Sequence, residues 1–572
     1  MILYLVSIVL GILMLGMVMH LGYKNRKEAA LGPGGLKLSS CMSFIEKHYA
    51  VFGLALFGLF LLTRLAYLGF IPKGMHIDEI GMSYDAYSLS HYGMDRHQVH
   101  YPVYLENFGG GQSALYAYAT SLLLKFFPYS TTLIRLPAVI FGMFCFLASF
   151  FLIKDIAEDL YEKSEKKCEY IHAVALAGPL FVTVTPYFLM SERWALDCNL
   201  FLSMGTVSLC FIVKAIRSRK KTMCLIAGIS CGVTLYTYAI SYLVLPLFFL
   251  MLFFYLVYLR KKKLSIPCLL VFCIPVGILG LPLVVFQLVN MGKIPEFTLF
   301  GIQFKRLYSY RISELSFSRA IPKLLYVVKG MIGADELSYN AFHEFGPFYL
   351  CTVPLVIYGA FMAIRDMVIS IKRRASQAVA VVVFYFFSCW AVMLLHGFCY
   401  NAINHIYITF LVFAVYGLIY LGRFSGRSIL ISMSCIGLSF VLFSYVYFIK
   451  QNDMIPKHDF FYDMTQGEVV EYAEKHYDPE KDKTVYISYD PEEQDQQNLI
   501  ASLYGKVPAP IWGQITKNLG RFHMTVPETI DPSENAIYII GRSQQDVIDL
   551  LLSQGYKKDD TYEKDIILYK DA

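Results

Sequence analysis

Long runs of apolar residues alternate with short polar segments along most of the chain. A helix needs about 17–25 apolar residues to cross a bilayer. Twelve runs meet this length and are predicted to be membrane spans. Their bounds are 2–19, 50–70, 133–152, 171–190, 196–215, 222–240, 241–259, 265–289, 346–364, 378–395, 405–421 and 428–448. The pattern predicts an all-α polytopic membrane protein.

The pattern changes after the last run. Short β-rich segments replace the long apolar runs and predict strands at 485–488, 536–540 and 566–569. Thr465 with Glu468, and Ser543 with Asp546, have the spacing of capping boxes that open helices. Gly555 is expected to end the second of these helices. Three parts are therefore predicted: an anchor helix with a linker (1–49), a transmembrane domain (50–449) and a small soluble α/β domain (450–572).

Composition supports the membrane interpretation. Of the 572 residues, 56% are hydrophobic and 16% are charged, whereas soluble domains carry about 25% charged residues. The net charge of +6 comes with no basic face interleaved with aromatic residues, so nucleic-acid binding is not expected. The 13 cysteines form no CxxC pair and no zinc-type cluster, which favours buried apolar cysteines.

The placement of Lys and Arg predicts the orientation. Cytoplasmic loops of membrane proteins carry an excess of these residues. Basic groups occur at 24–27, 217–221, 260–263 and 372–374, and at Arg423 with Arg427. They fall on one side if the first span is a retained anchor with its N-terminus outside. Residues 71–132, 290–345 and 449–572 are then extracytoplasmic.

Ionisable residues gather at this outer surface, and no span has Asp or Glu at its centre. In the first outer loop, Asp78 and Glu79 precede an apolar stripe of Ile80, Tyr84, Tyr87 and His91. This spacing predicts an amphipathic helix along the interface. Asp78 at its lip is a candidate to take a proton from an acceptor hydroxyl. The alternative is that both acids only cap the helix and complement its dipole.

Two further motifs follow. In FGGGQS (108–113), glycines ahead of a helix can let backbone N–H groups approach a phosphate, although a plain turn capped by Ser113 is an alternative. In SERWALD (191–197), Arg193 is a candidate phosphate ligand and Asp197 a carboxylate that faces Asp78. An ion pair between Arg193 and Asp197, four residues apart, is the alternative interpretation.

Later cations are also candidates for holding a phosphate. Lys305, Arg306 and Arg311 lie in the second large outer loop, where each is alternatively a solvated charge. His405 lies where a late span starts, where it can meet a phosphate or place its ring at the interface.

The order of these motifs resembles the GT-C glycosyltransferases, in particular the bacterial protein-mannosyltransferase-like group that includes the aminoarabinose transferases. The resemblance covers about residues 50 to 450. The matching motifs, in order, are Asp78-Glu79, FGGG, Ile134-Arg135-Leu136-Pro137, Thr185-Pro186 with SERWALD, Tyr339-Asn340-Ala341, Gly346-Pro347 and Tyr349. Two features depart from the family pattern. His405 stands where the family commonly has an Arg, and this chain has an additional N-terminal span.

The resemblance implies a GT-C fold and transfer of a sugar from a polyprenyl-phosphate donor at the outer face of a bacterial plasma membrane. Asp78 is implied to be catalytic, with Glu79 in support, and Arg193 and Asp197 match the second outer-turn motif. The implied partners are the polyprenyl-phosphate sugar, membrane lipid, and a lipid, glycan or protein acceptor. No cofactor is certain, and a divalent cation, Mg²⁺ or Mn²⁺, is a candidate. The alternatives are a flippase or transporter of a lipid-linked glycan and a non-catalytic envelope scaffold.

Overall fold

The computed structural model describes most of the chain. The described residues are 2–26; 40–307 without 73, 108–109, 163–169 and 260–264; and 342–450 without 343, 376, 397–402 and 423–425. In the last part they are 461–462, 466–488, 518–519, and 521–570 without 524–525, 528, 532 and 563–564.

Helices make up most of this structure. The first thirteen are α1 (Ile2–Arg26), α2 (Ser40–Lys47), α3 (Tyr49–Leu65), α4 (Ile77–Tyr92), α5 (Leu115–Leu124), α6 (Thr131–Glu162), α7 (Ile171–Ala175), α8 (Ala177–Val184), α9 (Pro186–Ser191), α10 (Asp197–Ser218), α11 (Lys221–Thr234), α12 (Ser241–Tyr258) and α13 (Ile266–Asn290). The other six are α14 (Val353–Lys372), α15 (Ala378–His396), α16 (Tyr407–Gly422), α17 (Gly426–Tyr445), α18 (Gln466–Tyr477) and α19 (Gln545–Ser553).

Every predicted span coincides with helix, which confirms a helical, multi-pass membrane protein. Nine stretches of the described chain are long and apolar enough to cross a membrane. The predicted count of twelve is not confirmed, because three predicted spans have only shorter apolar helices. These are α3, the pair α7–α8, and α11.

The predicted span 171–190 is divided into α7, α8 and α9. Thr185, between α8 and α9, has an extended backbone, with φ of −73° and ψ of 133°. Pro186 follows at the first position of α9. Proline lacks a backbone N–H and pushes the preceding residue out of helical geometry, so α8 ends there. The chain then makes a short turn before the long α10.

One large apolar core joins the membrane helices, from Met14 in α1 to Phe443 in α17. Helices α14 and α16 cross closely within it. A Cβ atom at Gly359 of α14 would overlap the carbonyl oxygen of Phe413 in α16, so only glycine allows this approach. A second, smaller core joins α4, α5 and the start of α6, and it supports the first loop.

Four sheets are present in the described residues. The strands are β1 (Met75–His76), β2 (Tyr104–Asn107), β3 (Gly110–Ser113), β4 (Phe297–Leu299), β5 (Ile302–Phe304), β6 (Phe461–Tyr462), β7 (Thr484–Ser488), β8 (Asn518–Leu519), β9 (Phe522–His523), β10 (Ala536–Gly541), β11 (Lys557–Asp559) and β12 (Asp565–Tyr569). β2–β3 and β4–β5 are antiparallel hairpins, and β1 pairs with β6.

The last part of the chain is an α/β domain, as predicted. Its sheet has the order β11-β12-β10-β7-β9-β8, with β10–β7 and β7–β9 parallel. α18 packs on one face of the sheet and α19 on the other. The three predicted strands are confirmed as β7, β10 and β12.

Only part of the predicted helix capping can be compared with the structure. Gln544, not Ser543, precedes the first residue of α19, and no side chain caps this helix. The predicted cap Thr465 lies outside the described residues. Gly555 follows the end of α19 with φ of +85°, which agrees with its predicted role as a helix terminator.

The orientation remains a prediction, and reporter fusions test it. A reporter fused after Phe70 or after Phe448 is expected to lie outside, and one fused after residue 260 in the cytoplasm. The physical reason is the one-sided placement of Lys and Arg in the loops. A cytoplasmic signal at Phe448 would contradict the predicted topology.

Candidate functional site

Asp78 lies in the first turn of α4. His76 is the N-cap of this helix, and its Nδ1 accepts a hydrogen bond from the Asp78 backbone N–H at 3.1 Å. The His76 ring packs edge-on against Trp194, with centroids 5.2 Å apart. The side chain of Asp78 is 39% exposed. Its carboxylate is therefore held at a defined place and still open to a substrate.

Glu79, the next residue, is fully buried and has a structural environment. Arg135 in α6 donates two parallel hydrogen bonds to it, from Nε to Oε1 at 2.8 Å and from Nη2 to Oε2 at 3.0 Å. Glu79 also accepts the backbone N–H groups of His76 at 3.3 Å and Ala195 at 3.0 Å. The carboxylate thus completes a capping box with His76 and joins three segments of the chain.

Two buried arginines hold the segment that leads into Asp78. Arg135 donates to the carbonyl oxygens of Leu68, Pro72 and Gly74 at 2.6–3.0 Å. Arg193 donates to four more, those of Thr63, Arg64, Ala66 and Ile71, at 2.6–3.0 Å. The last carbonyls of a helix have no partner within the helix. These cations therefore fix the end of α3 and the irregular chain after it.

The SERWALD turn is the second structural support of the site. Glu192 pairs with Arg64 at 2.8 Å, and both side chains are buried. The next residues along the turn contact the first loop through Arg193, Trp194 and the Ala195 N–H, as described above. The alternative interpretation, an ion pair between Arg193 and Asp197, is wrong, because both side chains have other partners and α10 begins only at Asp197.

Asp197 lies beside the β2–β3 hairpin. Its Oδ2 accepts the Ser113 N–H at 2.8 Å, and its Oδ1 accepts the Cys198 N–H at 2.7 Å. Asp78 lies close enough for the two carboxylate charges to interact. This interaction supports the prediction that Asp197 faces Asp78. Within FGGGQS, Gly110–Ser113 form strand β3, and Ser113 does not cap the next helix, since α5 begins at Leu115 without a side-chain cap.

The hairpin also connects Asp78 to a buried polar network that the sequence did not reveal. Asn107 in β2 donates from Nδ2 to Asp78 Oδ1 at 2.9 Å. Arg96 donates from Nη2 to Asn107 Oδ1 at 2.6 Å and to the Glu106 carbonyl at 2.9 Å. Asp85 in α4 accepts the Arg96 backbone N–H at 3.1 Å and lies 3.8 Å from Arg96 Nε.

Burial governs the electrostatics of this network. Asp85 is fully buried, and burial raises its pKa to about 6, with Arg96 acting in the opposite direction. Asp95 is buried too, and burial with the nearby Asp85 raises its pKa to about 7. At neutral pH Arg96 is therefore the cation that balances these acids.

The environment of α4 differs from the predicted interfacial helix. Ile80 and Tyr84 are buried, but so is Asp85 on another face, while His91 at the far end is exposed. The helix is enclosed on several sides, because the chain after it folds back through Arg96 and Asn107. The predicted amphipathic pattern, with a single buried face, is therefore wrong, although the helix itself is present.

The candidate phosphate ligands lie in different environments. Lys305 and Arg306 are exposed at the end of the β4–β5 hairpin. This hairpin packs against the β2–β3 hairpin through Phe304, Leu307 and Tyr104. His405 is fully buried in a short 3₁₀ turn and stacks on Phe201 at 4.8 Å. Arg311 lies outside the described residues.

Asp78 and Asp197 are the carboxylates to consider as possible metal ligands at this site. Within the described part of the chain, no three His, Cys, Asp or Glu side chains converge as a metal site. Asp78 Oδ1 accepts the Asn107 amide, and both oxygens of Asp197 accept backbone N–H groups. Mg²⁺ is usually bound by one or two carboxylates together with substrate phosphates. The two carboxylates already accept these protein hydrogen bonds and do not form a metal site by themselves, so a cation would depend on the donor phosphate.

No protein-family model matches the chain, and no curated protein matches it. Solved structures with a similar fold include ArnT from Cupriavidus metallidurans bound to undecaprenyl phosphate, with 12% identity and a TM-score of 0.43 over 91% of this chain and 98% of that one. The Archaeoglobus fulgidus oligosaccharyltransferase in complex with Zn and sulfate has 10% identity and a TM-score of 0.46, over 78% of this chain and 61% of that one. Arabinofuranosyltransferase AftD from Mycobacteria has 10% identity and a TM-score of 0.41, over 81% of this chain and 30% of that one.

Proposed function

We propose that the protein is a membrane glycosyltransferase. It takes a sugar from a polyprenyl-phosphate donor and transfers it to a hydroxyl of an extracytoplasmic lipid, glycan or protein. The observation that carries the proposal is the environment of Asp78. This carboxylate is partly exposed, follows a segment held by the buried Arg135 and Arg193, and lies beside Asp197.

The proposed reaction is one displacement at the anomeric carbon. The acceptor hydroxyl oxygen forms the new bond to that carbon, and its proton passes to the Asp78 carboxylate. The bond between the anomeric carbon and the phosphate oxygen breaks, and polyprenyl phosphate leaves with the electron pair. A phosphate leaves without a strong acid, so the protein must supply a base and groups that stabilise the anion.

Lys305 and Arg306 are the proposed first ligands of the donor phosphate. Both are exposed and lie on a hairpin that packs against the strand carrying Asn107. Arg193 remains a proposed ligand, but a phosphate would have to compete with the four carbonyls it already holds. His405 would require a path into the core, where both its ring nitrogens are buried. Exposure therefore favours the hairpin cations.

Replacement of Lys305 and Arg306 by Ala is expected to weaken donor binding, by about thirtyfold for the pair, because partly solvated ion contacts are worth about 1 kcal/mol each. Donor affinity is measured by microscale thermophoresis on purified protein. Arg193→Ala is expected instead to lower the unfolding temperature. Unchanged donor affinity in the Lys305/Arg306 double variant, with weakened affinity in Arg193→Ala, would contradict this order and identify Arg193 as the main phosphate ligand.

A divalent cation, Mg²⁺ or Mn²⁺, remains a proposed requirement. It would bind together with the donor phosphate and would supply positive charge to it. The residues of the chain provide the base and the positioning.

A donor panel tests the proposed function. The purified protein is incubated with undecaprenyl phosphates that carry mannose, glucose, N-acetylglucosamine, arabinose or aminoarabinose, together with a bacterial envelope lipid and glycan fraction. Release of undecaprenyl phosphate from at least one donor is expected, and Asp78→Asn is the inactive control. Movement of an intact lipid-linked sugar across vesicles, with no release from any donor, would favour a flippase.

A further inference from the structure

We propose that Asn107 is the positioning residue of Asp78, and that Arg96 fixes the orientation of its amide. The proposal rests on the proposed function, because it assigns how the base of that reaction is held. Arg96 acts on Asp78 through the Asn107 amide, and neither residue touches the substrate in the proposed reaction.

The hydrogen bonds define which end of the Asn107 amide faces Asp78. A guanidinium has only donors, so the Asn107 atom 2.6 Å from Arg96 Nη2 must be the carbonyl oxygen. The NH₂ group then points to Asp78 and donates to Oδ1 at 2.9 Å. Without Arg96 the Asn107 amide can rotate by about 180° and point its carbonyl oxygen at Asp78. That oxygen and the Asp78 carboxylate would repel each other.

The hydrogen bond from Asn107 distinguishes the two carboxylate oxygens of Asp78, so that only one is left to act as the base. Oδ1 is occupied by Asn107, whereas Oδ2 lies 3.7 Å from His76 Nδ1, beyond a normal hydrogen bond. The His76 nitrogen already accepts the Asp78 N–H, so in this arrangement it carries no proton to donate to Oδ2. Oδ2 is therefore the oxygen proposed to accept the acceptor's proton.

The fold makes room for the network. Gly81 lies one turn along α4 from Asp78. A Cβ atom there would come within 2.5 Å of Asn107 Oδ1 and 2.8 Å of Arg96 Nη1. The absence of a side chain at Gly81 lets the amide and the guanidinium approach the helix this closely. Asp85, on the same helix, accepts the Arg96 backbone N–H and lies close to its guanidinium, which holds Arg96 in place.

The test is the pH dependence of transfer, measured as kcat with the donor that the panel identifies. A carboxylate that loses a hydrogen-bond donor holds its proton more tightly. Asn107→Asp keeps an oxygen for Arg96 but removes the donor and places a second carboxylate beside Asp78. The acid limb of its rate profile is expected to move up by about one pH unit. Asn107→Ala is expected to move it in the same direction by less.

Other groups near this site titrate as well. His76 and Asp197 face Asp78, and Asp85, Asp95 and His97 surround Arg96. All of them are retained in the Asn107 variants, so a difference between variants reports on Asn107. Asn290→Asp is the matched control, because Asn290 also donates and accepts one hydrogen bond each, to Phe286 O and from Leu307 N. It is expected to leave the acid limb in place.

Arg96→Gln separates positioning from a general loss of structure. In the wild-type background it is expected to raise the acid limb. In the Asn107→Ala background it is expected to add little, because the amide through which it acts is gone. A purely structural role would lower the rate equally at every pH and lower the unfolding temperature.

Three outcomes distinguish this inference from the proposed function. Acid limbs of Asn107→Asp and Asn107→Ala that coincide with wild type would overturn the inference while leaving an active transferase. Equal, additive shifts for Arg96→Gln in both backgrounds would overturn the role of Arg96. Absence of transfer by the wild type with every donor would instead reject the proposed function.

Discussion

Asp78→Asn is expected to reduce sugar transfer by about 10³-fold, within the range attributed to a general base. Asparagine keeps the size of the side chain and can still accept the Asn107 hydrogen bond through its oxygen. It cannot take the acceptor's proton, however. Transfer is measured as product formed per enzyme per second with the donor identified by the panel.

A matched acid controls for the loss of one charge at a helix start. Asp546 lies in the first turn of α19, as Asp78 does in α4, and is exposed. Asp546→Asn is expected to transfer at the wild-type rate. Both variants are expected to unfold within a few degrees of the wild type. Wild-type transfer by Asp78→Asn would end the assignment of Asp78 as the base.

Glu79→Gln is expected to lower the stability of the folded protein. The variant leaves the buried Arg135 cation without its carboxylate. It also turns an NH₂ group toward Arg135 Nη2 and the His76 N–H, so that donors face donors. Breaking a buried ion pair by removing one partner costs about 3–5 kcal/mol. The unfolding temperature in detergent and the yield of monodisperse protein are the measurements.

Glu46 provides the comparison for this change. Its carboxylate pairs with His172 at 2.6 Å and accepts the Ala173 N–H at 2.8 Å, but both side chains are partly exposed. Partly solvated pairs contribute about 0–1 kcal/mol. Glu46→Gln is therefore expected to change the unfolding temperature little. A Glu79→Gln protein as stable as Glu46→Gln would show that the Arg135 pair does not hold the site together.

The sequence predicted the elements whose signal is local. Apolar runs placed the membrane helices, and β-rich segments placed β7, β10 and β12. Pro186 was a sequence signal for the helix break after Thr185. The long apolar run 171–190 nevertheless led to the prediction of one continuous span. α3 and α11 also fell short of a full span, because apolar turns after them, such as residues 66–70, leave the helix.

The candidate site was predicted only where its residues stand close in the sequence. The motif that contains Asp78 and Glu79 was found, but their different environments were not. Glu79 meets Arg135, which lies 56 residues later, and Arg193 reaches carbonyls 122–130 residues earlier. Such contacts leave no periodicity in the sequence.

Asn107 and Arg96 were missed for a related reason. Asn107 directly precedes the glycine-rich motif, and Arg96 lies in a short polar loop, so neither forms a pattern with Asp78. Gly81 was the available signal. A glycine inside an otherwise regular helix marks a position where another group packs closely against the backbone.

The most direct test of the central claim counts both products of one reaction. A donor labelled in the sugar and in the polyprenyl phosphate is incubated with the wild type or Asp78→Asn and the envelope acceptor fraction. The account predicts one polyprenyl phosphate released for each sugar joined to an acceptor by the wild type, and neither product from Asp78→Asn above background. Equal yields of both products from Asp78→Asn and the wild type would contradict it.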